Sequence, residues 1–131
     1  MTIANKSIST ITTPIERQQQ IEATCLRLLA RREHSHRELL DKLALRGFTR
    51  QEVEFVIQQL AEQNWQNDLR FAESYVRQRI AKGYGPLRIA YELQQRGITK
   101  LDLDAQAEDQ GGWQQLALDV YLRKFDEVST L

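Results

Sequence analysis

The chain has 131 residues, of which 41% are hydrophobic and 27% are charged, enough for the core of one domain or of a few small modules. Its 18 basic and 18 acidic residues give zero net charge, which offers no overall argument for a nucleic-acid partner. One cysteine excludes an internal disulfide, and no segment has the pattern of a membrane helix or a signal peptide, so we expect a cytoplasmic protein with no membrane partner.

Residues 1–14 are rich in Ser, Thr and Asn, show no usable apolar period, and are predicted to form a mobile N-terminal tail. From Ile15 onward, apolar residues recur at the spacing of one helical face, which predicts a first helix that ends near Arg32. Cys25 lies on this apolar face and is expected to be a small core residue.

Two capping boxes predict where the next two helices start. In this motif a Ser or Thr side chain accepts from the backbone while a Glu three residues later reaches back. Ser35 precedes Glu38 at this spacing, and Thr49 precedes Glu52. Gly47 is expected to end the second helix. The third helix is expected to bury Val53, Val56, Ile57, Leu60 and Trp65.

The segment from Gly83 to Pro86 separates a fourth predicted helix from a fifth. Asn67 or Asp68 is expected to cap the fourth helix, whose apolar positions are Phe71, Ala72, Tyr75, Val76 and Ile80. Gly83 and Gly85 are expected to be needed for backbone shape, and Pro86 suits the first turn of a helix. The fifth helix presents Ile89, Ala90 and Leu93 before Gly97 ends it.

Two further helices are predicted, a weak sixth and a seventh. Thr99, with Asp102 three residues later, is expected to start a sixth helix. A seventh helix should begin after Gly111 and Gly112, with an apolar stripe of Trp113, Leu116, Ala117, Val120 and Tyr121. No segment alternates at period two for long enough to predict a strand, so the fold class is all-α.

A shift of fifty residues aligns two parts of the chain. LALRGFTR in the first part matches LQQRGITK in the second, so that Arg46 falls on Arg96 and Gly47 on Gly97. The pattern predicts tandem three-helix repeats, each a helix, a short helix and a helix. The first repeat spans residues 15–68 and the second residues 69–111, and residues 112–131 supply only the first helix of an incomplete third repeat.

The residue pattern does not predict an enzyme. His34 and His36 are two residues apart and lack further ligands, so we expect no metal and a surface role at the start of a helix for both. The chain has no phosphate-binding loop, nucleophile elbow or dinucleotide fingerprint. We therefore expect no catalytic residues and no cofactor, and a monomer that works by binding.

Charge is distributed unevenly. Residues 69–100 hold seven basic and two acidic side chains, residues 1–68 hold nine of each, and residues 101–131 hold two basic and seven acidic. A basic segment suits phosphates or an acidic protein surface, although a merely solvated helix face is the alternative. Tyr84 either packs between helices or stacks on a partner. The candidate partner-binding residues are Arg70, Arg77, Arg79, Lys82, Tyr84, Arg88 and Arg96.

The segment from Asn67 to Ile98 resembles the signature of the RecX regulatory proteins. The matching residues are Asp68, Arg70, Phe71, Ala72, Lys82, Gly83, Tyr84, Gly85, Pro86, Ile89, Leu93, Gly97 and Ile98. The stretch RLLARREHSHRELLDKLALRGF, residues 27–48, resembles the first repeat of the same family. The resemblance covers residues 20–125 and includes Gly, Pro and aromatic residues at fixed offsets, which makes it specific.

The resemblance implies a regulator of the RecA recombinase. Such proteins are built from three tandem three-helix repeats in an elongated, curved array. They bind RecA along the groove of its nucleoprotein filament and inhibit its activity in recombination, DNA repair and the SOS response, including RecA-stimulated cleavage of the LexA repressor. Some also bind single- or double-stranded DNA. The residues alone leave two alternatives: a direct DNA binder that uses the basic segment, and a helical adaptor for an unrelated protein.

Overall fold

The computed structural model describes the backbone of residues 13–129 and the side chains of residues 13–126. These residues form seven α-helices and no β-strand: α1 (Pro14–Arg31), α2 (His36–Ala44), α3 (Arg50–Glu62), α4 (Asp68–Ala81), α5 (Pro86–Gln95), α6 (Leu103–Glu108) and α7 (Trp113–Ser129). The all-α prediction is confirmed. Residues 1–12 of the predicted tail lie outside the described part of the chain.

The described chain divides into two compact units at the junction of Asn67 and Asp68. The first unit packs α1, α2 and α3 against one another. Both predicted capping boxes are present, with Ser35 accepting from the Glu38 N–H and Thr49 from the Glu52 N–H. Its core consists of Ile21, Cys25, Leu39, Leu43, Val53, Val56, Ile57 and Leu60.

The second unit contains α4, α5, α6 and α7. Here α4, α5 and α6 pack against one another, and α7 packs against α6. The buried side chains are Phe71, Ala72, Val76, Ile80, Ile89, Leu93 and Ile98. Trp113 and Leu116 cover this core in part, whereas Tyr121, assigned to the same stripe from sequence, is 64% exposed. None of the described helices is long and apolar enough to cross a membrane.

The predicted repeat is visible in the geometry of the two units. Helices α2 and α5 start at His36 and Pro86, fifty residues apart. After each helix the chain turns at a glycine with positive φ, Gly47 at +88° and Gly97 at +82°. An equivalent hydrogen bond closes each turn: the Phe48 N–H donates to the Leu43 carbonyl, and the Ile98 N–H to the Leu93 carbonyl. The turn chemistry therefore recurs with the same spacing as the core positions.

Two predictions about helix boundaries were wrong. Trp65 is 56% exposed and lies beyond the end of α3, because Asn64 takes a left-handed conformation with φ of 62° and turns the chain away from the helical face. Thr99 does not cap α6. That helix starts at Leu103, and the Asp102 side chain accepts from the Ala105 N–H at 3.1 Å.

The two glycines that flank Tyr84 differ in what they require. Gly83 has φ of +90°, and a Cβ there would lie 3.1 Å from Cγ2 of Val120, so both the backbone and the packing favour glycine. Gly85 has an ordinary φ of −90°, and a Cβ there would meet no atom within 4 Å. The prediction that backbone shape requires Gly85 was therefore wrong.

His34 is buried, which corrects the prediction of a surface role. Its Nδ1 lies 3.0 Å from the Arg32 carbonyl oxygen, and its Nε2 lies 3.0 Å from Nζ of Lys42. The first contact requires an N–H on Nδ1, which leaves Nε2 to accept from the ammonium group. Burial, with the positive charges of Arg32 and Lys42, lowers the pKa of His34 and keeps the ring neutral.

Candidate partner-binding site

Glu92 on α5 is the centre of a polar network that ties α5 to α4. Its Oε1 accepts from the Tyr75 hydroxyl at 2.9 Å and from Nε of Arg79 at 2.8 Å. Its Oε2 accepts from Nη2 of Arg79 at 2.8 Å and from Nε of Arg88 at 3.2 Å. The side chains of Arg79 and Glu92 are only 17% and 15% exposed, so their two-point pairing is largely shielded from water.

Aromatic rings extend this network. The Arg79 and Arg88 guanidinium carbons lie 4.1 and 3.8 Å from the centroid of the Tyr84 ring. The Arg96 guanidinium lies 4.7 Å from the centroid of the Tyr75 ring, and its Nη1 donates to the backbone carbonyl of Glu92. These distances are typical of cation–π contacts. We call Tyr75, Arg79, Tyr84, Arg88, Glu92 and Arg96 the Glu92 network.

The ionisation of the network follows from its hydrogen bonds. Burial raises the pKa of Glu92, but the hydrogen bonds from Arg79, Tyr75 and Arg88 outweigh it and hold the pKa at about 2. Burial and the bond to Glu92 together raise the pKa of Tyr75. At neutral pH Glu92 is therefore a carboxylate and Tyr75 a neutral phenol, beside the three guanidinium groups of the network.

The structure divides the predicted binding residues into two sets. Arg79, Tyr84, Arg88 and Arg96 lie in the Glu92 network, and of these Arg88 is the most open to solvent, with 57% of its side chain exposed. Arg77 and Lys82 are exposed, and Arg70 is half-buried. Sequence reasoning missed Glu92 as the centre and treated Tyr75 only as an apolar position. The spacing of Arg88 and Glu92, four residues apart on one helix, was the available signal.

The equivalent positions in the first unit hold a different set of side chains. A shift of fifty residues places His34, Glu38 and Lys42 where the second unit has Tyr84, Arg88 and Glu92. In the first unit Lys42 contacts His34, and Glu38 forms a two-point pair with Arg32 at 3.0 and 3.2 Å. Polar clusters occur at the same place in both repeats, but the signs of two charges are exchanged.

Comparisons with known proteins identify the family. Residues 23–60 match the first three-helix domain of RecX, and residues 67–105 match the second. A regulatory protein RecX from Xanthomonas campestris pv. campestris is 43% identical over 119 residues, which cover 88% of this chain and 67% of that protein. The chain belongs to the RecX family. A regulatory protein RecX from Halorhodospira halophila is 44% identical over 108 residues, covering 82% of this chain and 67% of the relative.

A solved structure shows the same fold. The crystal structure of a regulatory protein RecX superposes with a TM-score of 0.71 at 25% identity, covering 97% of this chain and 64% of that one. The chain thus spans about two thirds of the length of its RecX relatives. These relatives are named regulatory proteins, and the family is not one of enzymes. The whole Glu92 network lies within the stretch that matches the second RecX domain.

Proposed function

We propose that this chain binds RecA in its filament on single-stranded DNA and inhibits RecA activity in recombination, DNA repair and the SOS response. Membership of the RecX family is the observation that carries the proposal. The family's regulatory character directs attention to a protein partner, and the resemblance described above directs it to RecA. We place this activity in the cytoplasm.

The charges of the second unit support a contact with an acidic surface. The Glu92 network contains three arginines and one carboxylate, so the network itself carries net positive charge. Arg77 and Lys82 add exposed cations nearby in sequence. Exposed charges of one sign steer a partner of opposite sign and raise the association rate. Arg79 is shielded by Glu92 and Tyr84, and we assign it the role of holding the surface in shape.

The test is RecA ATP hydrolysis on single-stranded DNA with increasing amounts of the chain. We expect hydrolysis to fall in proportion to bound chain. The double variant Arg77→Glu/Lys82→Glu should inhibit at least ten times less well, because two favourable charges become unfavourable. A matched control reverses two exposed arginines of the first unit, Arg27→Glu/Arg31→Glu, with the same change in net charge. Unchanged ATP hydrolysis at several-fold excess of the unvaried chain would sink the proposal.

Direct DNA binding is the second candidate, favoured by the exposed Arg77, Lys82 and Arg88. A protein that neutralises phosphates releases counterions, so its affinity for naked DNA falls steeply as salt rises. Fluorescence anisotropy with labelled single-stranded DNA at low and moderate salt separates the two candidates. Binding to naked DNA that matches binding to RecA filaments would favour DNA as the primary ligand. Binding to filaments alone would leave RecA as the partner.

A further inference from the structure

The outer face of α5 differs from the equivalent face of α2 in a way that the shared fold does not require. On α2, Arg37 and Asp41 are one turn apart and form a loose ion pair, Nε to Oδ2 at 3.8 Å, with 60% and 68% of their side chains exposed. Fifty residues later, the same two positions on α5 hold Leu87 and Tyr91. These are 88% and 61% exposed. The second repeat therefore presents apolar side chains to solvent where the first repeat presents an ordinary charged pair.

Leu87 and Tyr91 form one continuous feature. Residues four apart on a helix are neighbours on its surface, so the two side chains lie side by side. The Tyr91 hydroxyl accepts from Nε2 of Gln95 at 3.0 Å, which orients the ring along the helix. Single exposed leucines are common on protein surfaces, but an adjacent Leu and Tyr on a rigid helix have the composition of a protein interface centre.

Arg88 adds a charge that is held in place beside this pair. Its Nε donates to Glu92, and its guanidinium lies against the Tyr84 ring, yet more than half of the side chain remains exposed. A guanidinium has five N–H donors, and the contact with Glu92 uses only the one on Nε. Because the side chain is already ordered, little conformational entropy is lost when a partner carboxylate binds it.

We propose that Leu87, Arg88 and Tyr91 form a protein-docking ridge on α5, for a partner protein whose surface offers an apolar pocket bordered by a carboxylate. Glu92 is the positioning residue that holds Arg88 in the ridge. The partner's carboxylate complements the net positive charge of the Glu92 network, and its pocket receives Leu87 and Tyr91. The inference deepens the proposed function and rests on it, since RecA is the partner on which it is tested.

Two other occupants fit the ridge less well. The DNA backbone offers phosphates for Arg88 but no pocket for Leu87, whose side chain carries no hydrogen-bonding group. A second copy of this chain, paired ridge to ridge by a two-fold axis, would bring two Arg88 side chains of like charge together. A protein surface with an apolar pocket bordered by a carboxylate satisfies both the apolar and the charged parts of the ridge.

The experiment measures binding of the full chain to RecA filaments assembled on immobilised single-stranded DNA. Leu87→Ala/Tyr91→Ala should weaken binding at least ten-fold, as truncation of interface centres does. Arg88→Ala should weaken it several-fold, and Glu92→Gln should weaken it less, since Arg88 keeps its contact with the Tyr84 ring. Arg37→Ala/Asp41→Ala, at the equivalent positions of the first repeat, is the matched control and should bind within two-fold of the unvaried chain. Circular dichroism checks that each variant is folded.

The outcomes separate the inference from the proposed function. If the unvaried chain fails to bind filaments, both are overturned. If it binds and Leu87→Ala/Tyr91→Ala binds equally well, the docking ridge is overturned and the proposed function stands. Loss of naked-DNA binding by Arg88→Ala, with no effect of the Leu87 and Tyr91 changes, would assign the surface to nucleic acid instead. Self-association that Leu87→Ala/Tyr91→Ala abolishes, with filament binding intact, would assign it to a second copy.

Discussion

Replacing Glu92 with Gln removes the only carboxylate of the Glu92 network and keeps the shape of the side chain. The amide oxygen can still accept from Tyr75 or Arg79, but the amide nitrogen is a donor facing guanidinium donors. Arg79, which is 17% exposed, then lacks its counter-charge. Removing one partner of a shielded ion pair is destabilising because the other charge stays desolvated. We therefore expect Glu92→Gln to destabilise the second unit.

The size of the effect follows from the ionisation of Glu92. A pKa of about 2, against an ordinary 4.5, corresponds to about 3 kcal/mol of preference for the charged form. Solvent reaches the network through Arg88, which is 57% exposed, so we discount this figure to about 1–2 kcal/mol. Because the pKa is lowered in the folded chain, this stability is present above pH 4.5 and is lost as pH falls towards 2.

Urea unfolding followed by Trp113 fluorescence tests this prediction. Trp65 is replaced by Phe in all variants, so that Trp113, which packs on the core of the second unit, is the only indole reporter. Glu92→Gln should lower the free energy of unfolding at pH 7 by about 1–2 kcal/mol, and less than half of this difference should remain at pH 2.5. Glu108→Gln, an exposed carboxylate in the same unit, serves as control. A difference below about 0.5 kcal/mol at pH 7, or one that acid leaves unchanged, would refute the reasoning.

Three further predictions concern packing and buried groups. Gly83→Ala should destabilise the second unit by roughly 1–2 kcal/mol, because its φ is +90° and its Cβ would press on Val120; equal urea midpoints would contradict this. The free energy of unfolding of the first unit should decrease as pH falls below about 6.5. The reason is that His34 binds a proton more tightly in the unfolded chain than in the folded chain, where it is buried and Lys42 faces its ring. His34→Gln should flatten this pH dependence. Cys25 is fully buried, and burial raises the pKa of its thiol to about 11. Labelling of Cys25 by a thiol reagent should therefore be slow in buffer and rapid in urea. Fast labelling in buffer would contradict this prediction.

The helices and most of the core could be predicted because local chemistry determines them. Ser35 and Thr49 cap helices through contacts with a Glu three residues later, so the sequence spacing alone predicts these contacts. Leu43 and Leu93 occupy equivalent helical positions and are both buried. Trp65 was assigned wrongly because Asn64, rather than a glycine, takes the left-handed conformation that ends α3. Because Asn tolerates this conformation, Asn64 was the sequence signal for the end of α3.

The candidate site was less predictable because it depends on tertiary pairing. Tyr75 and Glu92 are 17 residues apart, and Arg79 and Glu92 are 13 apart, so no helical spacing brings them together. A count of charges identified the basic segment but treated its arginines as equivalent. The structure distinguishes them, since Arg79 is shielded by its own carboxylate whereas Arg77 is exposed. The number of basic residues in a segment therefore overstates the number of positive charges that a partner can contact.

The two repeats share their turns and cores but differ in the polar cluster beside each turn. Their turns and cores are alike, because a helix that ends at the same register and buries the same positions needs glycine at the turn and apolar residues in the core. The polar cluster beside each turn has no such constraint, provided that every buried group finds a partner. In the first repeat the requirement is met by a neutral His34 and a charged Lys42, and in the second by Glu92 among three arginines. The second solution places an ordered positive charge, Arg88, beside the exposed Leu87 and Tyr91, which is why we propose that this repeat recognises the partner.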